Sequence, residues 1–442
     1  MRSLLVSALV AWTCVLGAGC DSPSHDNLDK WTRTKKGPDK LRAAVSDASL
    51  DPDLSAHAAT NLLRKGLEGD ARTRLEKLPP ARRSAVAEKL VPRLWGLARI
   101  EGGDLAVPNG EQATAKDLLV DLRGMVEGAE RARIDGYLVD WYTSGYYDAR
   151  ATPGRHPGAE VIRLIGAPAS EKLIAMADSI VAKSLAGVDR LRVSDELLLA
   201  IGVSGSPASV EYLLKLAKLD VKDKGDKSLG KRAISALYRS YVDPRGLFTV
   251  ADPAALIPHV QTLVGFASAD QDGQVTNDAI ALVRATGSPT CIAPLLAVVA
   301  YPHEDPQYRL IGASAALACG GPSAIKPVVL ALPDAAYEHR NFGGSIWTVI
   351  AKSKERAATL SALRDLAAEN SKLARWVAIE ALAELRSTED LGVLQTIAAD
   401  RRKLTGYWGS QSDVSSKERK AEPTLGERAR ELAATLAAAK GS

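Results

Sequence analysis

Aromatic side chains are scarce in this chain of 442 residues, which contains only three phenylalanines. Alanine and leucine dominate its apolar content instead. β-Sheets favour aromatic and β-branched residues, whereas Ala and Leu are among the strongest helix formers. The composition therefore favours close-packed helices over a large β-sheet.

The chain also lacks any concentration of positive charge. Lys and Arg number 57 against 53 Asp and Glu, which gives a net charge of +4. The longest basic clusters are short, Lys35-Lys36 and Arg401-Arg402-Lys403. Nucleic-acid-binding proteins carry a basic patch or stripe. We therefore expect no nucleic-acid partner and a solvated surface of mixed charge.

Recognisable catalytic motifs are missing as well. The sequence contains no G-x-S-x-G and no P-loop, and its six histidines show no H-x-x-x-H or other metal-ligand spacing. His303 and Glu304 form one His-Glu pair without a second. We therefore predict no catalytic residues, no metal and no cofactor.

What the sequence does contain is a recurring turn between apolar stretches. Gly287-Ser288-Pro289 separates two apolar runs, and Gly205-Ser206-Pro207 does the same upstream. In such a turn Gly ends one helix in the left-handed conformation, Ser caps the next helix, and Pro fills its first turn. The residues before each turn repeat with the period of one helix face. Each such unit is predicted to be a helix, a tight turn and a second helix.

Further units fit the same template. Those ending at Pro168 and Pro322 keep a glycine two residues before the proline, Gly166 and Gly320, and a third unit has Arg386 at the glycine position. Neighbouring fits lie about 33 to 45 residues apart, a spacing typical of a repeat array. Stacked helical hairpins of this kind predict an all-α solenoid.

The alanine-rich helix face, the glycine and the proline resemble HEAT repeats, in the bacterial form also found in phycobilisome lyases. The resemblance covers residues 37–404 and implies a right-handed α-solenoid. We predict an irregular unit at 101–153, a polar loop at 405–424 and a C-terminal capping helix at 425–442. The fold hosts many unrelated functions, so it does not imply one.

The first residues have the form of an export signal. Arg2 precedes an apolar run to Leu16, and Gly17, Ala18 and Gly19 lead to Cys20. This resembles the lipobox of bacterial lipoproteins, although Leu16 lies four residues before the cysteine, where the family usually has leucine three before. The resemblance implies that residues 1–19 are a signal peptide and that Cys20 carries lipid.

A lipid on Cys20 would place the protein in the bacterial cell envelope, at the periplasmic face or the outer membrane. Residues 20–36 are polar and are predicted to form a flexible tether. The alternative is plain cleavage, which would make the protein a secreted one.

After such processing, and with lipid on Cys20, the remaining cysteines are Cys291 and Cys319. They are either two free thiols or the two partners of a disulfide. They fall near ends of helices that would meet in a hairpin. A disulfide between them would stabilise the fold by about 3–4 kcal/mol. The alternative is two buried thiols that serve as small apolar side chains.

Aromatic residues are concentrated at two places. Trp141, Tyr142, Tyr146 and Tyr147 lie close together in the irregular unit, and Tyr407-Trp408 lie in the late loop. Aromatic side chains are frequent anchors in protein interfaces. They are equally suited to fill space where the stacking of repeats is imperfect.

Together these features predict a non-catalytic, lipid-anchored envelope protein that binds a protein partner, with the second helices of the repeats lining the binding face. Two alternatives stay open. One is a tetrapyrrole-binding protein similar to the phycobilisome lyases, and the other is an enzyme with an unrecognised site on the solenoid.

Overall fold

A computed structural model describes residues 22–101, 106–185, 193–219, 228–242, 252–268, 273–303, 307–333, 346–407 and 421–441. Within these ranges the regular elements are helices, and the one β-bridge pairs Lys403 with Thr424. The predicted all-α class is confirmed. The chain divides into two compact units, Met1–Ser204 and Gly205–Ser442.

The first unit begins with a short helix and continues with longer ones. Its α-helices are α1 His25–Trp31, α2 Gly37–Ser46, α3 Pro52–Arg64, α4 Glu68–Glu76, α5 Pro80–Ala98, α6 Gly110–Arg123, α7 Gly128–Thr143, α8 Tyr147–Ala151, α9 Gly158–Ile165, α10 Ser170–Leu185 and α11 Asp195–Val203.

The second unit alternates first and second helices of the repeats, several of them preceded by a short 3₁₀ turn. Its α-helices are α12 Pro207–Ala217, α13 Leu229–Tyr241, α14 Val260–Ala267, α15 Gly273–Ala285, α16 Ile292–Ala300, α17 Gln307–Gly320, α18 Ile325–Ala331, α19 Ile346–Ala351, α20 Arg356–Ala367, α21 Lys372–Glu384, α22 Leu391–Ile397 and α23 Leu425–Gly441.

Packing in both units follows chain order. In the first unit α3 packs against α2 and α5, and α5 packs against α6. In the second unit α13, α15, α17, α19 and α21 stack as a row of first helices, and α14, α16, α18 and α20 stack as a row of second helices. Two rows in which each helix contacts its successor are the arrangement of an α-solenoid, so the stacked helical hairpins are confirmed.

The predicted chemistry of the turns is present at the two sites that define the template. Gly205 and Gly287 have φ values of 69° and 58°. The Ser206 hydroxyl accepts a hydrogen bond from the Ser209 amide at 3.0 Å, and Pro207 begins α12. Pro289 begins the 3₁₀ turn before α16. These turns end one helix and start the next within three residues.

One glycine assignment is wrong. The template placed the left-handed residue at Gly320, but Gly321 has the positive φ, 56°, and α17 continues through Gly320. A Cβ at position 320 would lie 2.4 Å from Ile292 Cδ1 and 2.8 Å from Ala324 Cβ. Gly320 is therefore required for close packing, and its neighbour makes the turn.

The run Gln307–Ala331 is long and apolar enough for a membrane span by length and composition. Half of its most apolar 18-residue stretch is buried inside the protein, and the turn at Gly321 divides the run into α17 and α18. It is accordingly a pair of core helices of the second unit.

The predicted flexible tether at 20–36 is wrong for residues 25–31. Residues 25–31 form α1, which packs against α2 and α3. Leu28 and Trp31 are buried, at 0% and 6% exposure, because their i, i+3 spacing puts both on one face of a single helical turn. These two apolar residues in a polar segment contribute the buried side of the docked helix.

The C-terminal segment forms the expected helix. α23 packs against α21 and α22. Arg428 on α23 donates two hydrogen bonds to the carboxylate of Glu380 on α21, at 2.7 and 2.9 Å. Burial opposes the charge of Arg428, but the hydrogen bonds with Glu380 outweigh it and raise the pKa of the guanidinium. The pair ties the last helix to the repeat before it.

Candidate functional site

A surface pocket of about 310 Å³ lies on the first helices α15, α17 and α19 of the second unit. Its apolar lining is Ile280, Ala281, Leu310, Ile311, Ala315, Ile346 and Val349, and its polar lining is Asn277, Arg284, Gln307 and Ser314. The sequence had predicted a binding face on the second helices, so the pocket lies on the other row.

The position of the pocket follows from helix periodicity. On α15 the residues Ala279, Leu282 and Val283 are buried in the core. Asn277 and Arg284 therefore fall on the opposite, exposed side, seven positions apart, which is close to two full turns. On α17 the lining residues Gln307, Leu310, Ile311 and Ser314 repeat the same spacing. Each helix thus contributes one stripe to the pocket.

Arg284 is the one charged side chain among the lining residues that the structure describes. It is exposed, and its guanidinium has neither an ion pair nor a hydrogen bond to any residue in the described ranges. The pocket therefore joins an aliphatic floor to a free guanidinium. Such a site can take up apolar groups and a neighbouring carboxylate, for which arginine offers a planar, bidentate set of donors.

The aromatic cluster of the irregular unit does not form a surface. Trp141, Tyr142 and Tyr147 are buried, with exposures of 1% or less. The indole nitrogen of Trp141 donates to the Arg150 carbonyl at 3.2 Å. The half-buried Tyr146 donates its hydroxyl to Asp148 at 3.1 Å. The partner-binding hypothesis is wrong for the three buried residues, because their side chains fill the space between α7, α8 and their neighbours.

A buried polar cluster that the sequence did not predict lies beside these rings. Lys116 is fully buried on α6 and contacts Asp117 at 2.7 Å, and burial lowers its pKa. Asp117 accepts hydrogen bonds from the amides of Arg155 and His156, at 2.5 and 3.2 Å, and Lys116 donates to the His156 carbonyl at 2.9 Å. Gly154 leaves room for the carboxylate, since a Cβ there would lie 2.6 Å from it.

This cluster fixes the loop before α9 and does not form an accessible site, since Lys116 and Asp117 are both buried. Burial also raises the pKa values of Tyr142 and Tyr147, so both phenols stay neutral. The signal that could have found the cluster is a lysine and an aspartate inside an otherwise apolar stretch of α6.

The second aromatic position is also part of the core where it is described. Tyr407 is 7% exposed and packs against Trp376, with ring centroids 6.1 Å apart. The Arg428 guanidinium lies 5.6 Å from its ring centroid. Burial makes the interface hypothesis wrong for Tyr407 as well. Trp408 and Cys20 lie outside the described residues.

The two remaining cysteines are bonded in the structure. The Sγ atoms of Cys291 and Cys319 form a disulfide, with Cα atoms 6.5 Å apart. Cys291 ends the 3₁₀ turn before α16, and Cys319 lies in the last turn of α17. The bond therefore joins the turn before α16 to α17, one of the helices that line the pocket.

Histidine and acidic residues do not gather into a metal site in the part of the chain that the structure describes. His303 is buried, and its Nε2 lies 3.2 Å from the Val298 carbonyl, among the rings of Tyr301 and Tyr308. Glu304 lies outside the described residues.

Comparisons with known proteins add little about function. No family model matches the chain, and no curated protein matches it. Among solved structures it is similar to Kap121p bound to Pho4p, with TM-score 0.35 and 10% identity over 92% of this chain and 50% of that one. Kap121p alone gives TM-score 0.34 and 12% identity, over 92% and 45%. The chain thus spans about half the length of these two structures.

A third similar structure comes from work on tubulin recruitment and assembly by microtubule polymerases with TOG domain arrays, with TM-score 0.20 and 10% identity. That match covers 93% of this chain and 97% of the other. With TM-scores below 0.5, these similarities carry no argument for a function.

Proposed function

We propose that this protein is a non-catalytic binding solenoid, anchored by a lipid on Cys20 in the bacterial cell envelope, that holds an aliphatic segment with an adjacent carboxylate from a partner protein. The observation that carries the proposal is the pocket on α15, α17 and α19, in which buried and half-buried aliphatic side chains lie beside the exposed guanidinium of Arg284, which has no ion-pair partner among the described residues. Charge complementarity selects an acidic partner.

The size of the pocket supports a peptide segment as its occupant. Its volume of about 310 Å³ lies at the lower end of the range for ligand sites. That volume suits a few side chains of a partner. The three stripes lie on successive helices of the one row of first helices, so a bound segment can cross from α15 to α19 and present aliphatic groups to each.

The membrane anchor is proposed from the sequence of residues 1–20, and the structure adds a distance. Because α1 begins at His25, the chain between Cys20 and the solenoid spans at most about 18 Å when fully extended. A lipid on Cys20 would therefore keep the start of α1 within about that distance of the bilayer surface. The partner is then an envelope protein that is accessible at the membrane.

The binding proposal can be tested with a random peptide library displayed on phage and selected against the purified chain from residue 20 onward. We expect selected peptides to combine aliphatic residues with an Asp or Glu. With Arg284→Glu the selection should change from acidic to basic residues while the aliphatic preference persists. Arg401→Glu is the matched control, since Arg401 is exposed in the same unit and outside the pocket. Selection unaffected by Arg284→Glu would refute the site.

The anchor is tested separately by fractionation of cells that produce the wild type or Cys20→Ser. We expect the wild type in the membrane fraction and the variant in the soluble fraction. Membrane association that persists in Cys20→Ser would refute lipid anchoring and leave the binding proposal unaffected.

A further inference from the structure

Two histidines meet end to end where α1 docks on α3. His25 Nδ1 and His57 Nδ1 lie 2.7 Å apart. Their ring centroids are 5.0 Å apart and the ring planes differ by 29°. On the far side of each ring stands a carboxylate: Asp29 lies 2.8 Å from His57 Nε2, and Asp53 lies 3.3 Å from His25 Nε2. The four groups form a line, Asp29, His57, His25, Asp53.

The number of protons in this line is limited by its geometry. Each outer nitrogen faces a carboxylate, which can only accept, so each Nε2 carries its hydrogen. The two inner nitrogens then have room for one hydrogen between them, because a hydrogen bond needs a donor and an acceptor. The contact therefore accommodates one shared proton, which would give the two rings together one positive charge. A second proton would set two N–H groups head to head at 2.7 Å and break the contact.

The surrounding charges direct this second protonation to the histidines. Asp29 also accepts from Asn61 at 3.0 Å, and this bond, with smaller contributions from His57 and Arg64, keeps its pKa below the usual value. Asp53 pairs with Arg93 of α5 at 2.8 Å, which likewise lowers its pKa. Both carboxylates therefore stay ionised in mild acid.

The other charged groups near the line do not replace the histidine contact. Lys89 of α5 interacts electrostatically with Asp53. α2 also packs against α1, where Lys40 lies 5.3 Å from the centroid of the Trp31 ring. Leu28 and Trp31 remain buried on the side of α1 that faces α2 and α3. Histidine is the side-chain type whose ordinary charge change falls between about pH 5 and 8, and the His25–His57 contact places two histidines at this position.

We infer that the His25–His57 pair is a proton-operated latch that holds the first helix against the solenoid near neutral pH and releases it in mild acid. In the docked arrangement the two rings share one proton, whereas separated rings accept two. Opening therefore takes up a proton, and it is favoured as the pH falls. Because α1 follows the segment that begins at Cys20, the latch acts on the element nearest the proposed anchor. It does not depend on the pocket or on its partner.

The test is hydrogen–deuterium exchange of residues 25–31 in the chain from residue 20 onward, between about pH 7.5 and pH 5, corrected for the intrinsic pH dependence of exchange. We expect the protection of these amides to fall about tenfold across this range, as for the loss of one charge-assisted hydrogen bond. Protection of α12 in the second unit should stay constant and serves as the internal reference.

His25→Phe keeps a ring at the position and removes the shared proton. In this variant protonation of His57 can only strengthen its contact with Asp29, so protection should be independent of pH or should rise in acid. His259→Gln, which removes a histidine outside the pair, should behave as the wild type. A flat wild-type profile, or an unchanged profile in His25→Phe, would overturn the inference. Protection at about pH 7.5 that EDTA abolishes would also overturn it, since a bound metal would then bridge the two nitrogens.

Discussion

Arg386 has a backbone conformation that glycine usually adopts. Its φ is 52°, in the left-handed region. Its amide donates to the Ala383 carbonyl at 2.9 Å, and the Ser387 amide donates to the Leu382 carbonyl at 3.1 Å. This is the hydrogen-bond pattern of a helix end that glycine normally completes. We predict that Arg386→Gly stabilises the protein.

The magnitude follows from three contributions. A non-glycine residue in the left-handed conformation costs about 1–2 kcal/mol. Glycine gains freedom in the unfolded chain, which offsets about 0.5–1 kcal/mol of this. The exposed Arg386 side chain has no hydrogen bond or ion pair with residues in the described ranges, so its removal costs little. The net stabilisation should be about 0.5–1 kcal/mol.

The structure offers a matched control in the first unit. Gly66 has φ 71°, and its turn repeats the same pair of bonds, from Gly66 N to Leu63 O at 2.8 Å and from Leu67 N to Leu62 O at 2.9 Å. A Cβ at Gly66 would meet no atom within 4 Å, so Gly66→Ala changes backbone conformation alone. By the same contributions it should destabilise the protein by about 0.5–1 kcal/mol. The two substitutions are opposite in kind: Arg386→Gly introduces glycine at a left-handed position, and Gly66→Ala removes glycine from one.

Native-state hydrogen exchange of the last turn of α21 is the suitable assay, because it reports local stability in a chain that need not unfold in one step. Arg386→Gly should slow exchange there about two- to fivefold, and Gly66→Ala should accelerate exchange at the end of α3. If Gly66→Ala is destabilising while Arg386→Gly is neutral or destabilising, the conformational cost assigned to Arg386 is refuted.

Three further predictions concern the second unit. Arg428→Met should destabilise it by about 2–3 kcal/mol in urea unfolding, because Glu380 would keep a buried, unpaired charge; the double variant with Glu380→Gln should recover much of the loss. Hydrogen bonds from Arg402 lower the pKa of Asp400 to about 2, so its contribution is present above its usual pKa and is lost as the pH falls from about 4 to 2. The stability difference between wild type and Asp400→Asn should shrink over that range. Gly320→Ala should lower the melting temperature, because its Cβ would lie 2.4 Å from an isoleucine side chain on α16.

The local chemistry of the turns could be predicted from the sequence, because a helix end and a helix start depend on a few adjacent residues. The predicted left-handed positions of Gly205 and Gly287 were therefore correct, and the same repeat template placed Arg386 at a position that glycine usually occupies. The shift from Gly320 to Gly321 could not be predicted, since it depends on how closely α16 approaches α17.

Features that depend on distant parts of the chain were missed. The docking of α1 through Leu28 and Trp31 required knowledge of where α2 and α3 lie. Whether aromatic residues such as Trp141 are buried or exposed depends on the stacking of the irregular unit. The contact between His25 and His57 joins residues on separate helices, and the pocket joins three helices. No local pattern carries that information.

The most direct test of the proposed function is site-specific photocrosslinking in native cells from position 277, at the rim of the pocket. We predict an adduct with one envelope protein, joined at a segment in which aliphatic residues adjoin Asp or Glu. The adduct should be lost in Arg284→Glu and retained in Arg401→Glu. An adduct that survives Arg284→Glu, or crosslinks to segments without acidic residues, would contradict the binding of an acidic partner in this pocket.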